Sequence, residues 1–282
     1  MIAIDNINAL REEITRRRKC GEVVVFVPTM GNLHQGHLAL IRLAKQYAGT
    51  VLVSLYVNPL QFGPNEDFST YPRSLDRDCE ALTEMEVDIL FRPDDATMYP
   101  RGMDDQTKVE VPRLGEILEG VTRPSFFRGV TTVVNRLFNI ANADIAVFGK
   151  KDYQQLTIIK RMVADLAIPI EIVGAETIRD TDGLALSSRN SYLTAAERKI
   201  APTLYQSLCA AVDRLRSGHR DYSMMEAKAR GDLTAGGIKP DYICIRRQGD
   251  LGVPQESDSA LVVLGAGYVG KTRLIDNVEV DL

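Results

Sequence analysis

The segment His34-Gln35-Gly36-His37 places two imidazoles three residues apart. It follows an apolar run, Val23-Val24-Val25-Phe26-Val27, and precedes apolar residues at helical spacing over residues 36–47. That order predicts a strand, a turn and a helix. The first turn of a helix offers unpaired backbone N–H groups and the positive end of the dipole, so this place suits an anion. Gly31 and Gly36 let the backbone approach a ligand closely. Two imidazoles on such a turn can donate to a phosphate as negative charge builds on it. Loss of one preorganised donor of this kind costs roughly 10²–10³ in rate. Helix capping is the competing reading for the pair. A metal centre needs at least a third ligand, and no cysteine or carboxylate nearby has a familiar metal spacing.

Three further segments carry groups that suit a nucleotide or a small acid. Gly149-Lys150-Lys151-Asp152-Tyr153-Gln154-Gln155 follows a short apolar run at 145–148. In open α/β sheets ligands gather at the carboxyl ends of strands. Lys151 suits phosphate oxygens, Asp152 suits Mg²⁺ or a ribose hydroxyl, and Gln155 is placed one turn on, toward a second substrate. The plainer alternative is a solvated helix start capped by Asp152. Leu186-Ser187-Ser188-Arg189-Asn190 combines hydroxyls with a planar cation, which suits a triphosphate, although the same composition also makes turns. Asn58-Pro59-Leu60-Gln61-Phe62 follows the apolar run at 51–57 and offers two amides that suit a hydroxy acid. Its alternative is an ordinary strand-ending turn.

Another segment, rich in glycine, imitates a nucleotide loop. Gly265-Ala266-Gly267-Tyr268-Val269-Gly270-Lys271-Thr272 satisfies both GxGxxG and GxxxxGK[ST]. Either motif requires a following helix and more sheet. The next residues, Thr272-Arg273-Leu274-Ile275, look extended instead. The segment is expected to be a glycine-rich turn between two strands. His219, in a loop-like break, is assigned no role.

The elements that must position these groups follow from periodicity. Helical spacing at 7–18, 36–47, 75–85, 130–141 and 153–166 alternates with short apolar runs at 23–27, 51–57, 88–91, 145–148 and 170–173. Alternation of this kind predicts βαβ units in an α/β, doubly wound parallel sheet. Past about residue 176 the pattern changes. One long helix is expected over 194–216, another over 224–233, then strands at 242–246, 260–264 and 272–275. These form a smaller α+β domain, so the expected division is 1–176 and 177–282. The 282 residues are 45% hydrophobic with a net charge of −4, which excludes a mainly disordered chain. A slightly acidic chain is a poor non-specific nucleic-acid binder, and no apolar stretch reaches the ~20 residues of a membrane span. Met1-Ile2-Ala3-Ile4-Asp5 lacks a signal-peptide start. Cys20, Cys79, Cys209 and Cys244 are widely separated, as in reduced cytoplasmic thiols.

Seven ordered stretches together resemble the pantothenate synthetase (pantoate–β-alanine ligase) family over essentially the full length. They are residues 28–37, Val57-Asn58-Pro59-Leu60-Gln61-Phe62, Tyr71-Pro72-Arg73, residues 123–130, residues 148–155, residues 182–190 and Thr272-Arg273-Leu274-Ile275-Asp276-Asn277. The HxGH element alone belongs to a wider group that includes class I aminoacyl-tRNA synthetases. The resemblance implies a Rossmann-like domain at 1–176 that binds ATP and pantoate, and a C-terminal lid at 177–282. It implies that ATP, pantoate and β-alanine give pantothenate, AMP and diphosphate through a pantoyl-adenylate. His37, joined by His34, would assist transfer at the α-phosphate. ATP would be held by Met30, Gly31, Asn32, Leu33, His34, Gln35, Gly36 and His37, by Gly149, Lys150, Lys151 and Asp152, and by Ile178, Leu186, Ser187, Ser188 and Arg189. Gln61 and Gln155 would bind pantoate, and Gln61 would also meet β-alanine. Mg²⁺ would accompany ATP, with Asp152 as a ligand. The partners would be small molecules, with neither nucleic acid nor membrane, in a cytoplasmic homodimer. Two departures stand out: Lys150 replaces the family's Glu, and Leu60 replaces its Met.

Other classes predict different features. An adenylyltransferase acting on a phosphorylated acceptor would need a basic pocket in place of Asn58 and Gln61. A phosphate-loop ATPase would depend on Lys271, and a nucleotide sensor would bind ATP without turnover.

Overall fold

The strand Val23–Thr29 loses solvent on both faces: Val24, Val25, Phe26 and Val27 are all fully buried. Its side chains divide by parity, as a pleated strand requires. Val24 and Phe26 enter one core with Leu10, Val134, Leu137 and Ile158. Val25 and Val27 enter another with Ile41, Ala44 and Leu82. This is a central parallel strand covered by helices on both sides.

The computed structural model describes residues 1–47, 49–63, 66 and 68–282. Through residue 176 the elements are β1 (Ile2–Ile4), α1 (Ile7–Lys19), β2 (Val23–Thr29), α2 (Gln35–Ala44), β3 (Gly49–Leu55), α3 (Leu75–Glu84) and β4 (Ile89–Phe91). They continue with α4 (Asp95–Met98), α5 (Glu119–Thr122), α6 (Phe126–Ala141), β5 (Ile145–Gly149), α7 (Tyr153–Asp165) and β6 (Glu171–Ala175). The strands form one six-stranded sheet in the order β1-β4-β3-β2-β5-β6. Every pair is parallel. The chain steps outward from β2 through β3 to β4, then returns to β5 on the other side of β2. The order therefore reverses between β2 and β5, the crevice where ligands bind in doubly wound sheets. The Rossmann-like expectation holds.

The rest of the chain builds α8 (Ala195–Ile200), α9 (Thr203–Arg216), α10 (Tyr222–Ala235), β7 (Lys239–Arg247), β8 (Ala260–Val269) and β9 (Thr272–Asp281). Its three strands pair antiparallel in the order β7-β8-β9. Leu204, Leu208 and Leu215 of α9 and Met225 and Leu233 of α10 cover them. The chain separates into a unit of Met1–Lys150 with Gln154–Glu176 and a unit of Lys151–Tyr153 with Thr177–Leu282.

Two expectations need correction. The single helix predicted over 194–216 is two helices, α8 and α9, interrupted at Ala201 and Pro202. Proline has no N–H for the helical ladder and its ring crowds the preceding turn, so it starts a helix more readily than it continues one. The glycine-rich segment at 265–270 is not a turn over most of its length, because β8 runs on to Val269. Only Gly270 and Lys271 connect β8 to β9, as a two-residue hairpin with Gly270 at φ +58°. Gly265 and Gly267 are packing residues. A Cβ on Gly265 would lie 3.0 Å from Leu208 Cδ2, and one on Gly267 would lie 2.6 Å from Ile238 Cγ2.

Gly267→Ala is expected to destabilise the protein by about 1–3 kcal/mol through this overlap, read by chemical denaturation. Lys271 lies on an exposed hairpin and is followed directly by the strand β9. Lys271→Ala is therefore expected to leave ATP affinity within about twofold, measured by equilibrium binding, whereas a true phosphate loop would lose it.

Candidate active site

At the end of β2 the chain reverses through two consecutive left-handed residues, Gly31 at φ +82° and Asn32 at φ +51°. Thr29 Oγ1 accepts the Gly31 N–H at 3.2 Å and donates to the Ser54 carbonyl at 2.9 Å. Asp78, from α3, accepts the N–H of Asn32 at 2.7 Å and of Leu33 at 2.8 Å. His34 then caps α2 from an extended backbone, φ −133°. Its Nδ1 accepts the Gly36 N–H at 3.1 Å, and His37 Nδ1 accepts the His34 N–H at 3.3 Å. The ring centroids are 4.1 Å apart.

The capping and chemical readings of the histidine pair therefore coincide. Because a backbone N–H points at each Nδ1, that atom is an acceptor, and the proton of each neutral ring resides on Nε2. Each ring thus offers one fixed donor on the edge opposite its cap. The expectation of unpaired backbone N–H groups is narrowed to the remainder of the first turn of α2, because the residues leading into it are engaged. The N–H groups of Gly31, Asn32, Leu33, His34 and Gly36 all have protein acceptors. The Nε2 edges of the two imidazoles lie opposite these caps, with the helix dipole behind them.

The Asn58 segment leaves the same end of the sheet, since the Tyr56 N–H donates to Thr29 O at 3.1 Å. Asn58 is 1% exposed and caps a 3₁₀ turn, Pro59–Gln61. Its Oδ1 accepts the Leu60 N–H at 3.3 Å and the Tyr99 hydroxyl at 2.7 Å. Its Nδ2 donates to Gln61 Oε1 at 3.1 Å and to Gly129 O at 3.2 Å. All four hydrogen-bonding positions of this amide are engaged. Asn58 consequently orients Gln61 and has none left for an acid substrate, contrary to expectation. Arg123 holds the turn from the other side, donating to Gln61 O at 2.9 Å and to Glu66 Oε1 at 2.7 Å while stacking over Phe126 at 3.7 Å. Burial raises the Tyr99 and Tyr56 phenols above their ordinary pKa, so both remain hydrogen-bond donors. Tyr56 donates to Asp95 at 2.8 Å.

β5, the neighbour of β2 across the switch, delivers Gly149 and Lys150. Lys150 Nζ lies 2.6 Å from Glu176 Oε1, so the cation that replaces the family's Glu has an acidic partner. Gln155 is half-buried on the first turn of α7.

The second unit gathers the other expected residues. The Leu186 N–H donates to Ile178 O at 2.9 Å, and Arg179 bridges Ala185, so 178–186 forms a hairpin-like loop. Arg179 grips Asp276 with bonds of 2.6 and 2.9 Å and lies 3.7 Å over the Tyr205 ring. Next to Asp276, Asn277 Nδ2 donates to Lys151 O at 2.9 Å. Adjacent residues of β9 therefore tie both the Lys151 segment and this loop. Gly183, at φ +95°, closes the loop where a Cβ would lie 2.6 Å from Tyr205. Hydrogen bonding from Arg198 holds the Asp182 carboxyl below the usual range. Ser187 Oγ accepts the Arg189 N–H at 3.3 Å and starts the 3₁₀ turn Ser188–Tyr192. Asp152 is half-exposed, 3.8 Å from Lys151 Nζ. Among the described residues no three His, Cys, Asp or Glu side chains cluster to hold a metal. The donor set fits Mg²⁺ only as a phosphate-borne ion touching at most one carboxylate.

Asp78, Tyr99, Arg123 and the Asp276-Asn277 pair were not assigned roles from sequence. Each acts on a segment remote in the chain; Arg123 and the Asp276-Asn277 pair lay within stretches already singled out, whereas Asp78 and Tyr99 did not.

A parallel α/β sheet with an imidazole pair at its switch point defines an HxGH-class protein. The profile of the pantoate-beta-alanine ligase family matches residues 2–279. The pantothenate synthetase of Shewanella baltica (strain OS223) is 50% identical over 281 residues, spanning 100% of both chains. The crystal structure of pantothenate synthetase from Thermus thermophilus superposes with a TM-score of 0.93 at 43% identity, covering 100% of each chain. Pantoate-beta-alanine ligase from Francisella tularensis, complexed with beta-gamma ATP and beta-alanine, gives a TM-score of 0.79 at 36% identity over 99% of this chain and 97% of that one. This chain belongs to the pantoate-beta-alanine ligase family.

Tyr99→Phe removes the donor to Asn58 Oδ1 in a buried site. It is expected to lower stability by about 1–2 kcal/mol, measured by denaturant titration.

Proposed function

We infer that the protein is an ATP-dependent ligase that joins pantoate to β-alanine, giving pantothenate, AMP and diphosphate through a pantoyl-adenylate. The observation that carries this reading is the family match across residues 2–279. The site supports the chemistry. A carboxylate is a poor acyl donor, and adenylation supplies a leaving group. A pantoate carboxylate oxygen attacks the α-phosphorus and diphosphate leaves. The β-alanine amine then attacks the acyl carbon, loses a proton, and AMP leaves. Neither step needs a protein nucleophile; holding the reactants in line supplies much of the rate.

In this reading His37 and His34 donate from Nε2 to the α-phosphate as its charge grows. The turn from Met30 through Gly36 holds ATP by shape and by these rings. Gln61, its Oε1 held by Asn58, presents its Nε2 end to pantoate and later to β-alanine, and Gln155 also meets pantoate. Gly149, Lys150, Lys151, Asp152, Ile178, Leu186, Ser187, Ser188 and Arg189 bind the nucleotide, with the cations and hydroxyls toward the phosphates. Asp152 would touch a Mg²⁺ carried by ATP, and that ion would supply charge neutralisation at the phosphates. Residues 1–176 act as the catalytic domain and 177–282 as a lid that keeps water from the acyl-adenylate. No helix among the described residues is long and apolar enough to cross a membrane. The same reading makes the protein a cytoplasmic homodimer that handles small molecules.

The test is pantoate-dependent exchange of labelled diphosphate into ATP, with Mg²⁺ and without β-alanine. Exchange is expected. Its absence from folded protein that binds ATP would contradict an adenylate. His37→Ala is expected to slow exchange by roughly 10²–10³, with a much smaller loss of ATP affinity.

A further inference from the structure

We propose that Asp78 is a positioning residue for adenylation: it sets the turn that aims His34 and His37. The inference rests on the proposed role of those histidines. Asp78 is 2% exposed and sits on the first turn of α3, on a different element from the turn it holds. Its Oδ2 accepts the Asn32 N–H at 2.7 Å; its Oδ1 accepts the Leu33 N–H at 2.8 Å and the Ser74 hydroxyl at 3.1 Å. Three donors converge on one group, so both of its oxygens must accept. An amide of the same shape would turn an N–H₂ toward one of these donors.

The surroundings are arranged for this contact. Ser74 stands at the cap position of α3 but makes no cap bond there, its hydroxyl pointing to Asp78. Arg77, the neighbouring residue of α3, donates to Asn32 Oδ1 at 2.9 Å. Adjacent residues of α3 thus hold the backbone and the side chain of Asn32. Gly31 leaves only 3.2 Å between a built Cβ and Asp78 Oδ2. Left-handed backbone at a non-glycine residue persists only where its surroundings over-determine it, and Asn32 is such a residue. Leu33 joins this anchored pair directly to His34, so a shift at 32–33 moves the cap and with it both rings. Asp78 faces backbone and Ser74, and acts through the imidazoles.

The experiment uses the full-length chain and separates the two half-reactions. One is pantoate-dependent diphosphate–ATP exchange. The other is pantothenate formation from chemically prepared pantoyl-adenylate and β-alanine, which bypasses attack at phosphorus. Asp78→Asn is expected to slow exchange by about 10–100-fold and to change the second half-reaction by less than about twofold. Ser74→Ala, which removes one donor and keeps the carboxylate, is expected to lower exchange by a few-fold with the second half-reaction intact. It carries the test if Asp78→Asn does not fold. Equal losses in both half-reactions, or unchanged exchange in either folded variant, overturn the proposal. Absence of exchange in the unsubstituted protein would instead overturn the ligase reading on which the proposal rests.

Discussion

Two hydrogen bonds from backbone N–H groups to imidazole Nδ1 atoms fix the geometry of the histidine turn. They make His34 and His37 the cap of α2 and, by the same contacts, assign each neutral ring the Nε2–H form. A helix cap is ordinarily a local matter of about 1 kcal/mol. Here it fixes two donors, 4.1 Å apart between ring centroids, at the switch point of a parallel sheet. The dipole of α2 supports negative charge in front of those donors.

The scaffold serves that geometry from several directions. β2 is buried on both faces, so the end that delivers the turn has little freedom to move. Asp78 holds the turn from α3, and Asn58 holds Gln61 through a fully satisfied amide. Unpaired buried polar groups cost more than paired ones return, which makes such networks specific as well as stabilising. In the second unit Asp276 and Asn277 do the same work for the Arg179 loop and the Lys151 segment. Lys150, one of the two departures from the pattern that the resemblance implies, is paired with Glu176.

Much of this was legible in the sequence. Residues 23–27 and 145–148 were readable as buried strands because both faces are apolar, and the histidine pair stood out by type and spacing. The break at Pro202 was visible in principle, but apolar periodicity continues across it and masked the interruption. Gly265 and Gly267 misled because glycine marks both turns and close packing; only the side chains of Leu208 and Ile238 distinguish the two. Asp78 carried no local signal: an aspartate near a helix start reads as dipole compensation, and its partners lie on another element. The engaged N–H groups of the histidine turn were illegible for the same reason.

In the proposed function the capping contacts and the chemical donors are the two edges of the same rings. Nitrogen-15 NMR of the protein labelled at its imidazoles, recorded at about pH 8 where a neutral ring is favoured, tests it directly. His34 and His37, assigned by substitution, should both give the signature of an Nε2–H tautomer, with Nδ1 unprotonated. A proton on Nδ1 of either ring would contradict the account, because the Gly36 or His34 N–H would then face a donor and that ring would have no Nε2–H to offer a phosphate.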